Sequence, residues 1–399
     1  MAVYYSKRNA AARGPSFVVM VKPVGSRCNM RCSYCYYLSR DQYSTHEVQT
    51  VMSDQMLERL IRDTIKASPG PVVSFVWHGG EPTLAGLDFY KRAVQLQNRY
   101  LPRGFSAWNN LQTNGLLIND EWAEFLAKNH FDVGLSIDGT ELVHDHNRRD
   151  VLGNGTFARV RQAAECLKKA GLTPDLLCTV NSATVEAPDE VYETLCSLET
   201  GWVQFIPIVV RDGDALSPLS VTPGAYGRFL TRMFDLWITH DLGNTDIQMF
   251  AEMAKIMAGA KPSLCMMSET CGRALVAEED GSVYACDHFV DPKHRIGNFM
   301  RDSIGQLVTL PFQEAFGRSK KTALTSQCRH CPYLKFCGGG CLKDRFGVSE
   351  DGEPGHYVLC EGLRAFFTHA EPLLQQLMAL SRQGLFPEAI MEQLRQASS

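Results

Sequence analysis

The sequence has no apolar run approaching the roughly 20 residues that a membrane-spanning helix needs. Its first residues, Met1-Ala-Val-Tyr-Tyr-Ser-Lys-Arg8, lack the long apolar core of a signal peptide. Neither sign of charge dominates: 40 Lys and Arg stand against 44 Asp and Glu, a formal net charge of -4. That balance argues against a general nucleic-acid or anionic-membrane binder. There is no internal repeat and no low-complexity segment. These absences leave a cytoplasmic globular protein as the expectation.

What is plentiful is cysteine, 14 in 399 residues. In a reducing compartment, clustered cysteines bind metal or perform chemistry more often than they form disulfides. The apolar content of 45% and aromatic content of 10% suit an ordinary core. The length suits one large domain plus a smaller one.

Short β-branched and apolar runs alternate with amphipathic stretches. Strands are expected at Ser16–Lys22, Val72–Trp77, Phe105–Leu111, Phe131–Ile137, Asp175–Val180 and Trp202–Val209. Between them lie helical patterns. Ser53 is placed to cap a helix carrying Met56, Leu57, Leu60, Ile61 and Ile65 on one face, and Thr156–Gly171 repeats the pattern. Six β-then-α units imply a parallel sheet with right-handed crossovers, in the form of a partial barrel. Further helices are expected around Thr222–His240, over Ile247–Ala258, and from about Leu363 to the C-terminus. The expected division is an extension over 1–15, the barrel over 16–240, a linker helix region over 241–262, and a cysteine-rich irregular domain over 263–399.

The strand ends carry the polar and glycine-rich residues. In order they are Cys28-Asn-Met-Arg-Cys32-Ser-Tyr-Cys35, His78-Gly-Gly-Glu-Pro82, Gln112-Thr-Asn-Gly115, Ser136-Ile-Asp-Gly139 and Asn181-Ser182. In parallel α/β barrels the strand C-termini share the face that carries the active site. Three thiolates hold three irons of a [4Fe–4S] cluster and leave the fourth iron open to a small molecule. A zinc site is the competing reading, and no fourth ligand stands near this triplet. Eight more cysteines follow: Cys265, Cys271, Cys286, Cys328, Cys331, Cys337, Cys341 and Cys360. They suffice for two fully ligated [4Fe–4S] clusters, with two zinc sites as the alternative. Read in chain order, Cys328, Cys331, Cys337 and Cys341 make one set. Cys166, Cys178 and Cys196 fall in helix or strand patterns and read as small buried hydrophobes.

The triplet with Tyr34 before its last cysteine resembles the signature of radical S-adenosylmethionine enzymes. That resemblance implies chelation of the open iron by the methionine group and formation of a 5′-deoxyadenosyl radical. Gly79-Gly80-Glu81-Pro82 resembles the family's methionine-contacting motif. Ser136 and Arg148 match positions that hold the ribose and the carboxylate, and Val209 matches an adenine-packing position. Arg suits a carboxylate because its planar donors pair with two oxygens. A solvated charge beside Arg149 is the plainer reading of Arg148, and core packing that of Val209 and Tyr34. The later cysteines resemble a SPASM extension, in which the chain crosses over. The resemblance assigns Cys265, Cys271, Cys286 and Cys341 to one auxiliary cluster, and Cys328, Cys331, Cys337 and Cys360 to the other. Gly338–Gly340 would give the tight path between them.

Tyr284-Ala-Cys-Asp-His288 is similar to anaerobic sulfatase-maturating enzymes, where the aspartate matching Asp287 is the general base. Like charge from an adjacent cluster would raise the proton affinity of such a base. The fold implied is a partial (β/α)6 radical-SAM barrel followed by a SPASM domain, an α/β protein. The implied cofactors are three [4Fe–4S] clusters and S-adenosyl-L-methionine. The implied partners are a sulfatase or other peptide substrate and a reductant such as flavodoxin or ferredoxin. The implied reaction is oxidation of a Cys or Ser side chain to Cα-formylglycine. Thioether or carbon–carbon crosslinking of a ribosomal peptide is the alternative product. The short stretch before the first strand, without room for a leader-binding domain, favours the former. No role is assigned to His78.

Overall fold

This computed structural model describes residues 17–38 and 51–397. The expected extension over 1–15 lies outside the described residues, as does Ser16. Six strands follow in chain order: β1 (Val18–Val21), β2 (Val72–Trp77), β3 (Ser106–Thr113), β4 (Phe131–Ser136), β5 (Asp175–Val180) and β6 (Trp202–Pro207). Each pairs in parallel with the next. Parallel neighbours need long crossovers, and helices Asp54–Ala67, Leu87–Tyr100, Asp120–Lys128, Phe157–Lys169 and Pro188–Cys196 lie between them. β5 is buried along its whole length, as a strand covered on both faces must be. The Ser53 hydroxyl accepts the Met56 N–H and starts helix Asp54–Ala67, which buries Met56, Leu57, Leu60, Ile61 and Ile65. The polypeptide is an α/β protein with a partial barrel at its centre.

Several boundaries move. β3 runs to Thr113, so Gln112 and Thr113 are strand residues rather than loop. β4 stops at Ser136 and β6 at Pro207, which leaves Ile137 and Val209 beyond their strands. A short helix, Glu141–Asn147, had no counterpart in the sequence reading. Thr140 caps it through the Val143 N–H, and it carries the chain from Asp138 to Arg148.

The larger difference lies past residue 240. Asp246–Ile247 pairs with β6, and Ala274–Ala277 pairs in parallel with β1. Ser282–Tyr284 and Arg295–Asn298 then continue the same sheet in antiparallel fashion, giving ten strands. The segment expected as a linker, 241–262, therefore supplies an edge strand and helix Gln248–Met257 to the barrel wall. The segment expected to be irregular begins by extending the barrel sheet. These strands have two to four residues each, too few for a periodic signal. The C-terminal helix starts at Cys360 and ends at Arg382, and a second, Pro387–Ala397, follows. Phe366 of the longer helix packs against Phe234 and Phe250, ring centroids 6.1 and 5.6 Å away. The end of the chain is thereby held on the barrel.

Candidate active site and auxiliary cysteine sites

The cysteine triplet lies in the loop after β1. Arg31 N–H donates to Arg149 O (2.8 Å) and Ser33 N–H to Asn147 O (3.1 Å), which pins the loop to the segment after helix Glu141–Asn147. Beneath it, Gly80 N–H donates to Gly25 O (2.9 Å) and Glu81 N–H to Arg27 O (2.8 Å). A Cβ on Gly80 would meet Arg27 O at 2.1 Å and Ser26 O at 2.3 Å. Only glycine allows that approach of the second strand end to the cysteine loop. The Glu81 carboxylate is fully buried. It accepts from the Thr113 hydroxyl (2.8 Å) and the Asn114 N–H (2.7 Å), tying β2 to β3. Cys32 is buried and Cys28 and Cys35 are half-buried. Burial, with the Glu81 charge behind it, pushes the Cys28 thiol up to about 12. Burial pushes Cys32 to about 11 against the pull of Arg148. Such thiols bind a metal by giving up their protons to it.

Asp138, just past β4, is the hub of the mouth. It is fully buried. Its carboxylate accepts from Tyr34 OH (2.5 Å), from Thr179 N–H and hydroxyl (2.8 Å each), and from Arg148 at Nε (2.8 Å) and Nη2 (3.1 Å). Burial works against the charged form, but the Arg148 charge and these bonds outweigh it and hold Asp138 below the usual carboxylate range. Arg148 is thus a buried cation in a bidentate pair, not a solvated charge beside Arg149. Tyr34 is buried against Met30 and Cys32. The Ser136 hydroxyl is half-buried and accepts from Gln112 Nε2 (3.1 Å). Val209 is half-buried, and its carbonyl lies 3.5 Å from Lys343 Nζ, two residues after Cys341. Burial drives His144 down to about 4, so the ring is neutral; its Nδ1 accepts the Asp138 N–H (3.2 Å).

Asp287 reaches the same mouth from the far end of the sequence, because Ala274–Ala277 pairs with β1. Tyr36 OH donates to its carboxylate at 2.5 Å, and Tyr37 OH lies 3.0 and 3.1 Å from its two oxygens. The fully buried Lys22 forms ion pairs with Asp287 (2.8 Å) and Glu278 (3.0 Å), and its ammonium sits 4.6 Å from the Tyr37 ring centroid. His78 Nδ1 is 2.9 Å from Tyr37 OH and accepts the Gly79 N–H at 2.7 Å. So His78 joins the network that orients Asp287. Lys22 sets a positive charge directly against the Asp287 carboxylate, opposing the like charge expected from an adjacent cluster. Lys22, Tyr36 and Tyr37 went unnoticed in the sequence; a lysine closing an apolar strand was the one available signal.

The eight later cysteines fall into two neighbourhoods. Cys286 is influenced by Cys341 and Cys265, and Cys271 by Cys265. Cys360 is influenced by Cys337, Cys328 and Cys331. Cys286 thus neighbours Cys341 and Cys265, and Cys360 neighbours Cys337, Cys328 and Cys331. Gly338, Gly339 and Gly340 all have positive φ, at 55°, 76° and 72°. A Cβ on Gly338 would meet two carbonyl oxygens at 2.7 Å. That turn passes the chain from Cys337 in one set to Cys341 in the other. Cys328, Cys331, Cys337 and Cys360 line a cavity of 340 Å³, with His356 Nδ1 3.6 Å from Cys328 Sγ. All the described cysteines are free thiols. Among the described residues, no three Cys, His or carboxylate groups close to the span of a single metal ion. The donor sets, four thiols around a sizeable cavity and three in a loop beside a buried Asp–Arg pair, fit iron–sulfur clusters. Cys178 is buried, and Cys166 and Cys196 are half-buried, outside both sets.

Comparison with known proteins agrees with this geometry. Residues 23–195 match the radical SAM superfamily, and residues 265–332 match SPASM, an iron–sulfur cluster-binding domain. The chain is 38% identical over 396 residues to a serine-type anaerobic sulfatase-maturating enzyme of Bacteroides thetaiotaomicron, covering 95% of each protein. It is 34% identical over 371 residues to a cysteine-type enzyme of Clostridium perfringens, covering 90% of this chain and 98% of that one. A solved structure, native anSMEcpe with bound AdoMet and Cp18Cys peptide, superposes with a TM-score of 0.83 at 33% identity, covering 91% of this chain and 99% of that one. Among the described residues no helix is long and apolar enough to cross a membrane. The chain belongs to the anaerobic sulfatase-maturating enzymes, radical S-adenosylmethionine oxidoreductases with a barrel and a SPASM iron–sulfur domain.

Proposed function

We propose that this protein oxidises a Cys or Ser side chain in a sulfatase polypeptide to Cα-formylglycine, working in the cytoplasm with a reductant such as flavodoxin or ferredoxin. Cys28, Cys32 and Cys35 would hold one [4Fe–4S] cluster. Two crossed sets would hold the others: Cys265, Cys271, Cys286 and Cys341, then Cys328, Cys331, Cys337 and Cys360. Gly80, Ser136, Arg148, Val209 and Tyr34 would surround S-adenosylmethionine. The proposed division remains 16–240, 241–262 and 263–399, with one sheet shared across it.

Held at Cys28, Cys32 and Cys35, the first cluster together with S-adenosylmethionine would supply the radical chemistry that removes one hydrogen atom from the target Cβ. The protein's own part is the second half of the oxidation. Asp287 takes the thiol or hydroxyl proton, and the auxiliary clusters that the two crossed sets would hold would accept the remaining electron. Breaking C–H and S–H or O–H, and forming one C=S or C=O bond, removes two electrons in all. A thioaldehyde made from Cys then hydrolyses. Tyr36 and Tyr37 hold the Asp287 oxygens in place, and the Lys22 ammonium anchors the carboxylate through an ion pair. The observation that carries this reading is the position of Asp287: it is hydrogen-bonded to the two tyrosines that directly follow Cys35.

The test is anaerobic turnover with two peptides that differ only in Cys or Ser at the target position, followed by mass spectrometry. Aldehyde formation in either supports the proposal. Continued cleavage of S-adenosylmethionine with both peptides unchanged refutes it.

A further inference from the structure

Two cations meet where the two auxiliary thiol sets adjoin. Lys320, on helix Pro311–Thr322, is 1% exposed. Its ammonium donates to Met266 O (2.9 Å), Ser268 O and Gly338 O (3.2 Å). The first two carbonyls lie between Cys265 and Cys271, and the third lies between Cys337 and Cys341. Arg345 is half-buried. It donates to Gly339 O (2.8 Å), Lys320 O (2.7 Å) and Gly338 O (3.1 Å). Both cations therefore donate to the same carbonyl, that of Gly338.

Lys320 is shut off from water and Arg345 partly so, and a buried cation needs an anion. Among the described residues no carboxylate pairs with either cation, and neighbouring Asp344 pairs with Lys343 instead. Thiols surround them. Lys320 is influenced by Cys265, Cys271 and Cys341, all of one set. Arg345 is influenced by Cys328 and Cys337 of the other set and by Cys341 and Cys271 of the first. Lys320 thus neighbours one set, and Arg345 neighbours cysteines of both.

We propose that Lys320 and Arg345 are positioning cations of the auxiliary electron path, making both thiol sets better acceptors of the electron that substrate oxidation releases. The inference rests on the reading that each set holds a [4Fe–4S] cluster. Every added electron places one more negative charge in a buried site already rich in thiolate, and two such sites side by side repel each other. A fixed cation between them stabilises the reduced state of each and lessens that repulsion. Because the carbonyl cage holds both side chains in place, their charge is present before the electron arrives. The oxidation of the target carbon is thereby drawn toward completion.

The experiment is a potentiometric titration, followed by electron paramagnetic resonance, of the anaerobically reconstituted full chain. Iron content is measured first. A wild-type chain without about eight irons beyond those of the first triplet overturns the cluster reading itself. Given full iron, Lys320→Met should make reduction of the centre at Cys265, Cys271, Cys286 and Cys341 at least tenfold less favourable, about 59 mV for one electron. The centre at Cys328, Cys331, Cys337 and Cys360 should shift less. Arg345→Met should lower both, and Lys320→Arg should restore the wild-type value. A Lys320→Met chain with full iron and unshifted potentials overturns the inference. If that variant loses iron, Arg345→Met decides in its place: full iron with lowered potentials supports the inference, and unshifted potentials refute it.

Discussion

Replacing Lys22 with Met removes an ammonium that pairs with both the buried Asp287 and the half-buried Glu278. Lys22 lies 2.8 Å from Asp287 and 3.0 Å from Glu278, and none of its side chain reaches solvent. At an effective dielectric constant near 20, a pair at that distance attracts by about 6 kcal/mol before desolvation is counted. Breaking a buried pair by removing one partner costs about 3–5 kcal/mol, so folding should weaken by that amount. The chemical effect is more specific. Without Lys22, the Asp287 carboxylate faces Glu278 across the gap and loses one of its three anchors. A base misplaced by about an ångström costs roughly 100-fold in rate. The assay counts aldehyde product and 5′-deoxyadenosine in the same anaerobic reaction. Lys22→Met should still cleave S-adenosylmethionine, while aldehyde per cleavage falls about 100-fold. Lys22→Arg should recover most of the loss. An unchanged ratio of aldehyde to 5′-deoxyadenosine in a folded Lys22→Met chain refutes this role for the ion pair.

Three other substitutions probe separate parts of the account. Gly80→Ala forces a methyl group against Arg27 O and Ser26 O; it should cost the reconstituted protein about four irons and abolish S-adenosylmethionine cleavage, as iron analysis and chromatography will show. Asp138→Asn leaves Arg148 buried without its counter-charge and should destabilise the fold by about 3–5 kcal/mol, read from denaturant unfolding. Because Asp138 is held below its ordinary value, its contribution is present above the unfolded pKa of about 3.9 and is lost as pH falls through the lower folded value; the asparagine variant should therefore lose less stability in acid than the wild type. Burial, and then the Glu278 charge, push Glu279 up to about 7. A raised carboxyl costs stability as pH climbs from its unfolded value to the folded one, so Glu279→Gln should gain on the order of 2 kcal/mol over wild type near pH 8 and nothing near pH 4.

Most elements that built the barrel were legible because they are long enough to show a pattern. Strands such as Val72–Trp77 and Asp175–Val180 are mainly apolar six-residue runs, and helix Asp54–Ala67 carries both a cap and a buried face. The polar strand ends were legible for the same reason, since a strand places its last residue. The extension of the sheet was not. Ala274–Ala277 is four residues long, and its partner, β1, lies some 250 positions earlier, so nothing local announces the pairing. That pairing brings Asp287 to Tyr36 and Tyr37 and sets Glu278 against Lys22. Arg148 shows the same limit from the other side: its neighbour in sequence, Arg149, is exposed, whereas its partner in space is Asp138. The proposed crossed cysteine sets need the Gly338–Gly340 turn, where three successive positive φ angles favour glycine and an added Cβ would meet Met267, Leu324 or Tyr357.

The central claim is that a radical formed beside Cys28, Cys32 and Cys35 removes hydrogen from the carbon that becomes the aldehyde. The most direct measurement uses a target peptide with both Cβ hydrogens of its Cys or Ser replaced by deuterium. The account predicts that 5′-deoxyadenosine acquires deuterium from the peptide, with one aldehyde formed for each labelled molecule. Deuterium-free 5′-deoxyadenosine appearing alongside aldehyde product would contradict it.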